Sequence, residues 1–194
     1  MSKYNTREAE PFAAGSVIAA ESLMDEARET AFGAPSISVT DCHLLSGKPQ
    51  AVEIDRDKDG TTDATGKITY STFGYIDKID VTGKDGSKEY SIQFDRTLGT
   101  VNFAKLDLKS DGSADATFNP NYAWFSNKVH GLKIDTDNDG KTDQKLSFNR
   151  AWLGNGIYRA GLDKNNDGTV DSYYDLKRHW FSGNLQHLDQ RKEK

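Results

Sequence analysis

The feature that most limits how this chain can fold is a nine-residue acidic segment that returns at a near-constant interval. Its clearest copy is Asp135-Thr136-Asp137-Asn138-Asp139-Gly140-Lys141-Thr142-Asp143, with acids at positions 1, 3, 5 and 9 and glycine at 6. Two more copies keep the pattern: Asp55, Asp57, Asp59, Gly60 and Asp63, then Asp163, Asn165, Asp167, Gly168 and Asp171. The first positions of all units, Asp55, Asp80, Asp107, Asp135, Asp163 and Asp189, are spaced by 25, 27, 28, 28 and 26 residues. Each unit reads as strand, acidic turn, strand, then a link with an aromatic or leucine. One hairpin buries too little to stand alone, so repeated hairpins must pack on one another.

The alternation suits a hard cation. A tight loop turns every second side chain inward, and carboxylate oxygens are what Ca²⁺ prefers. Glycine at position 6 supplies the sharp turn, and the backbone carbonyl of position 7 (Thr61, Lys141 or Thr169) adds a further oxygen. Helix–loop–helix calcium sites place a bidentate glutamate at position 12, where these copies have Gly66, Leu146 and Tyr174. The acid at position 9 must close the cage instead, and the flanks read as strands. The expectation is about three Ca²⁺ ions, the one at Asp163 weakest because Asn165 replaces an acid. Such a flexible cage favours Ca²⁺ over Mg²⁺, with dissociation constants on the order of 10⁻⁴–10⁻³ M.

Two other units depart from the pattern. In the second, Asp85 and Glu89 fall one place late relative to Asp80, which predicts a turn without a cage. The third keeps Asp107, Asp111 and Asp115 but has Lys109 at position 3, an ammonium placed to substitute for the ion. The sixth breaks off after Asp189 into Gln190-Arg191-Lys192-Glu193-Lys194.

Phe73-Gly74-Tyr75 leading into Ile79-Asp80-Val81-Thr82-Gly83-Lys84-Asp85-Gly86, together with the nine-residue loops, resembles the FG-GAP and VCBS repeats of integrin-like propellers and bacterial surface proteins. The likeness spans roughly residues 51–189 and implies calcium-binding hairpin loops. Propeller blades of that family need two hairpins each, and five hairpins make too few blades to close a ring. The expected fold is therefore mainly β: an antiparallel meander of about ten strands, barrel-like or in two layers, with one N-terminal amphipathic helix.

That helix is expected ahead of the repeats. Asn5 and Glu8 have capping-box spacing and Pro11 suits a first turn. Ala13, Val17, Ala20, Met24, Ala27 and Ala31 then form an apolar stripe, which Gly33 and Pro35 end. The mostly alanine seam predicts close packing, over a sheet face or in a barrel end. Residues 1–50 read as helix and connector, with a short strand at Ile37 to Thr40, and 51–194 as the repeat domain. Cys42 beside His43 reads as a half-buried thiol next to a surface imidazole, since neighbours in a strand face opposite ways.

Composition narrows the function. A formal charge of −5 argues against nucleic acid. No apolar run approaches the ~20 residues of a membrane-spanning helix. Glu8 and Glu10 precede the apolar stretch where an export signal would carry positive charge. No nucleophile elbow, HExxH or phosphate loop occurs, so an enzyme is the less favoured reading. The expectation is a calcium-stabilised binding or adhesion module for a protein or carbohydrate partner, outside the cell or on its surface, with a cytoplasmic location second. The alternatives are an intracellular calcium sensor or buffer, or a secreted effector or hydrolase whose calcium is structural. Trp124, Trp152 and Trp180 recur every 28 residues, with Arg150 and Arg178 two places ahead of the last two. They are either the partner surface or the packing between repeats.

Overall fold

The structure, a computed structural model, describes residues 9–28, 35–42, 48–97, 100–122, 128–150, 157–178 and 185–190. One helix, α1 (Ala9–Arg28), precedes β1 (Ser36–Cys42), β2 (Pro49–Asp55), β3 (Ala64–Tyr70), β4 (Ile76–Gly83), β5 (Lys88–Thr97) and β6 (Thr100–Asp107). There follow β7 (Ala116–Tyr122), β8 (Val129–Asp135), β9 (Gln144–Arg150), β10 (Ile157–Asp163), β11 (Ser172–Arg178) and β12 (Leu185–Gln190). Every strand pairs antiparallel with the next, and β1 pairs with β12, so the meander closes into a barrel. The closing seam is short, with partners Ile37↔Leu188 and Ser38↔His187. The mainly β meander is as expected, with twelve strands rather than about ten. The two extra are β1, longer than the Ile37–Thr40 segment, and β12, formed where the sixth unit breaks off.

Period-two alternation explains the sheet. Val52 and Ile54, Ala64 and Ile68, Ile92 and Phe94, Ala104 and Leu106, and Leu146 and Phe148 are buried. Between them Glu53, Lys67, Gln93, Lys105, Ser147 and others face out and are exposed. A charged outer face is the reverse of the apolar band on a membrane-spanning barrel. No helix among the described residues is long and apolar enough to cross a bilayer.

The helix lies inside the barrel. Every residue from Phe12 to Met24 is buried, polar Ser16, Glu21 and Ser22 included. A surface helix shows one buried stripe, whereas one buried all round is core. The expected apolar stripe is present, but its opposite face is enclosed too. Close approach needs Gly15: a Cβ there would stand 2.6 Å from Leu132 Cδ1 and 2.8 Å from Phe148 Cζ. Phe12 meets Phe94 edge-on at a centroid distance of 5.9 Å. On another side the alanines leave an apolar cavity of about 50 Å³ between Ala13, Ala14 and Val17 and strands β1–β4. The capping residues Asn5 and Gly33 lie outside the described residues.

Burying Glu21 requires a counterion. Arg56, just past β2, donates from Nε to Glu21 Oε2 at 2.8 Å and from Nη2 to Oε1 at 3.1 Å. Its other edge donates to both oxygens of Glu89, at 3.2 and 2.5 Å. Tyr90 Oη donates to Glu21 Oε1 at 2.7 Å. Burial works against the charge on Arg56, but the bonds to Glu21 and Glu89 outweigh it and raise its pKa. Burial first, then Glu21, pushes the Tyr90 phenol well above its ordinary value. Glu89 reaches this cluster because the residue that puts the second unit out of step is absorbed as a β-bulge: Thr82 pairs with Lys88 and Val81 with Tyr90, skipping Glu89. Gly83 leaves the room, since a Cβ there would lie 2.7 Å from Glu89 Oε1.

At the opposite rim a second device repeats. Tyr70 Oη donates to the Pro49 carbonyl, Tyr122 Oη to that of Val101, and Arg150 Nη2 to that of Val129. In each case the donor lies 21 residues past its acceptor, and Arg96 Nε serves Ile76 in the same manner 20 residues away. These side chains tie the end of one strand to the start of its neighbour, in the pairs β2–β3, β4–β5, β6–β7 and β8–β9.

Replacing Arg56 leaves the buried Glu21 without its counterion, and Arg56→Met is expected to cost about 3–5 kcal/mol. Urea unfolding checks this. Adding Glu21→Gln to Arg56→Met is expected to recover part of the loss.

Candidate metal centre

Antiparallel connectivity sends the acidic turns to one rim and the strand ends at Tyr70, Tyr122 and Arg150 to the other. Four of the five turns fold alike. The position 1 carboxylate accepts the amide of the position 6 glycine: Gly60 to Asp55 at 3.0 Å, Gly112 to Asp107 at 3.0 Å, Gly140 to Asp135 at 2.9 Å and Gly168 to Asp163 at 2.9 Å. Position 9 closes each loop by accepting the amide of position 2, as Asp63 does from Arg56 and Asp143 from Thr136. Its own amide donates to the carbonyl before the loop, that of Ile54, Leu106, Ile134 or Leu162. Position 4 is left-handed in every copy, with φ of 60° at Lys58, 54° at Ser110, 59° at Asn138 and 55° at Asn166. Asparagine tolerates that region better than most residues. Glycine at position 6 has φ near 90° and is required there.

Two of these loops gather carboxylates. Oxygens of Asp55, Asp57 and Asp59 lie within 4.8 Å of one another, and so do those of Asp135, Asp137 and Asp143. In both loops the position 1 carboxylate keeps its Oδ1 buried with no hydrogen-bond partner. For Asp135 the whole residue is only 7% exposed. Such an atom is costly unless something positive meets it. The Thr136 hydroxyl and then its amide hold Asp143 below the ordinary carboxylate range, and the Thr61 hydroxyl and amide do the same for Asp59. Asp139 sits apart from its triad, accepting the Lys141 amide at 2.7 Å and Nζ at 2.5 Å.

The third predicted cage differs. Asp163, Asp167 and Asp171 are not gathered into such a group, although the loop's backbone is the same. Asn165 Nδ2 donates to Asp167 Oδ2 at 3.0 Å, and the Asp167 amide donates to Asp163 Oδ1 at 3.2 Å. The Thr169 amide takes the other Asp167 oxygen at 2.7 Å. This loop satisfies its oxygens from within, which a count of acids does not reveal.

The loop at Asp107 bears out the reading of Lys109. Lys109 Nζ donates to Asp115 Oδ1 at 2.5 Å. Burial opposes ionisation of Asp115, but the bonds from Lys109 Nζ and from the Leu108 and Lys109 amides prevail and lower its pKa. The bond to Asp115 raises that of Lys109. The turn at Gly83–Ser87 is a short one closed by Gly83 N–H to the Ser87 carbonyl at 2.8 Å, and no carboxylate triad forms there.

Neighbouring loops are also joined. Asn138 Nδ2 donates to the Ala114 carbonyl at 2.9 Å, and its Oδ1 accepts from Thr117 Oγ1 at 2.7 Å. Asn166 Nδ2 donates to the Thr142 carbonyl at 2.8 Å. Position 4 of one loop thus fastens to position 8 of the preceding one.

Trp124, Trp152 and Trp180 lie outside the described residues, as does the side chain of Arg178. Arg150 is tied to the Val129 carbonyl. Phe73, the link aromatic of the first unit, is 86% exposed. Cys42 is exposed rather than half-buried, because β1 runs out at that residue.

Lys109→Asp restores an acid at position 3 of a loop already folded like the two triad loops. The variant is expected to bind one more divalent ion than the wild type, measured by calorimetry. No protein-family model matches the chain, and no curated protein matches it.

Proposed function

We propose that the chain is a calcium-stabilised binding module whose acidic rim is set by Ca²⁺ and whose link rim meets a protein or carbohydrate partner. The observation that carries the cation reading is the buried, unpartnered Oδ1 of Asp135 within reach of Asp137 and Asp143. The sister loop at Asp107 supports it, since that loop places an ammonium on its own acid. In the Asp107 loop the chain supplies the positive charge itself, and in the Asp55 and Asp135 loops, which leave a buried oxygen unmet, an ion supplies it.

Ca²⁺ suits the donors: carboxylates plus the position 7 carbonyl, in a loop of irregular shape. Asp55, Asp57, Asp59 and Asp63 with the Thr61 carbonyl hold one ion; Asp135, Asp137 and Asp143 with the Lys141 carbonyl hold another. Asp163, Asn165, Asp167 and Asp171 with the Thr169 carbonyl hold a third more weakly, because Asn165 and Asp167 must first part. The shared loop pattern is the ground for likening the chain to FG-GAP and VCBS repeats. The ions act on rigidity, not chemistry. Exposed Phe73 beside Gly74 supports the link rim as the contact surface, since an aromatic so exposed serves no core.

At 10 mM Ca²⁺ a site with Kd of about 10⁻⁴ M adds about 2.7 kcal/mol. Protein stripped with EDTA is therefore expected to melt well below the calcium-loaded form, and Asp135→Asn with Asp137→Asn to lose much of the difference. Equal melting temperatures with and without Ca²⁺, and no heat on titration, overturn the reading.

A further inference from the structure

The four nine-residue loops are alike in themselves but not in their neighbours. Asn138, at position 4 of the Asp135 loop, is fixed through both ends of its amide. Its Nδ2 donates to the Ala114 carbonyl at 2.9 Å and its Oδ1 accepts from Thr117 Oγ1 at 2.7 Å. Ala114 belongs to the Asp107 loop, which its own Lys109–Asp115 bond already closes. From the other side Asn166, at position 4 of the Asp163 loop, donates to the Thr142 carbonyl at 2.8 Å. The Asp135 loop is thus the one of the four with such an asparagine bond on each flank. The Asp55 loop has Lys58 at position 4, and the next turn, Gly83–Ser87, contains no asparagine.

The attachment points adjoin the acids of the triad. Asn138 follows Asp137, and Thr142 precedes Asp143. Asp135 is itself buried and anchored by the Gly140 amide at 2.9 Å. Every member of the Asp135–Asp137–Asp143 group is therefore fixed or stands next to a fixed residue. Gathering three carboxylates sets like charges together, and a loop without outside support relieves this by spreading. Bonds already made to the neighbouring loops oppose that spreading, and a site in shape before its ligand arrives binds more tightly. The Asp55 group takes in Asp57 and Asp59 but not its closing acid, Asp63.

We infer that Asn138 and Asn166 are positioning residues for the Asp135 site and that this site takes up its ion ahead of the one at Asp55. Asn166 acts from outside, since it belongs to a loop with acids of its own. The inference rests on the cation reading of the acidic rim and adds to it an order of filling and a dependence of one loop on the next.

The test follows the amides of Gly60, Gly112, Gly140 and Gly168 by NMR while the full, isotope-labelled chain is titrated with Ca²⁺. Each of these amides bonds the position 1 carboxylate of its own loop, so each reports on one site. Gly140 is expected to reach its midpoint at lower Ca²⁺ than Gly60. Asn166→Gly removes the bond to Thr142 and keeps the backbone, because φ there is 55° and glycine adopts it freely. It is expected to raise the Gly140 midpoint about threefold to tenfold, the worth of one hydrogen bond, and to leave that of Gly60 unchanged. Asn138→Gly, at φ 59°, is expected to act in the same direction. A Gly140 midpoint at or above that of Gly60, or one that Asn166→Gly does not move, overturns the inference while calcium binding stands. A Gly60 midpoint that moves equally shows a general loosening of the barrel and overturns it as well. If none of the four amides responds to millimolar Ca²⁺, both readings fall.

Discussion

Everything in this molecule depends on filling a barrel of twelve strands. Barrels of about eight strands can be packed by their own side chains, and wider ones enclose space. Here the space holds a helix, and the helix must be thin, hence the run of alanines and Gly15 against Leu132 and Phe148. Burial of Phe12, Val17, Ile18 and Leu23 against the inner face joins the two into one core. Each part depends on the other: the helix alone exposes Phe12, Val17, Ile18 and Leu23, and the empty barrel has nothing to close around.

The same enclosure explains the charged cluster. Glu21 lies within the barrel, so its charge is met by Arg56 and its lone pairs by Arg56 and Tyr90. Arg56 is also position 2 of the first acidic loop, and its amide holds Asp63. One residue thus connects the plug, the bulged strand and the loop at the rim. A buried ion pair is weak evidence of net stability, but it fixes register well. In this barrel it ties the helix to the end of β2 and to the bulged strand β5.

Much of this was legible in the residues. The 1-3-5-6-9 pattern marked the hairpin tips because each position has a separate job: anchoring oxygen, converging acid, left-handed glycine, closing acid. Lys109 was readable as an internal counterion for the same reason. The alanine seam pointed to close packing, over a sheet face or in a barrel end; burial of the helix all round was not legible, since the partner that lets Glu21 be buried lies 35 residues away. Closure was hidden as well: β1 and β12 lack the acidic turns that made the other strands conspicuous. At Asp163 a weaker cage was expected because Asn165 replaces an acid, and what the count of acids leaves out is that the Asn165 amide itself bonds Asp167. The link tyrosines and Arg150, which share one backbone-tying role, do not resemble each other in sequence.

The seam between β1 and β12 has a kinetic consequence. It joins residues about 150 positions apart in a chain whose other strand pairings are between neighbours. The hairpins can zip up one after another as they are synthesised, but the cylinder cannot shut until β12 arrives. Until then both outer strands offer unpaired edges and the apolar helix has an incomplete wall around it, the state in which such chains mispair or clump. The last strand made thus acts as the latch for the first.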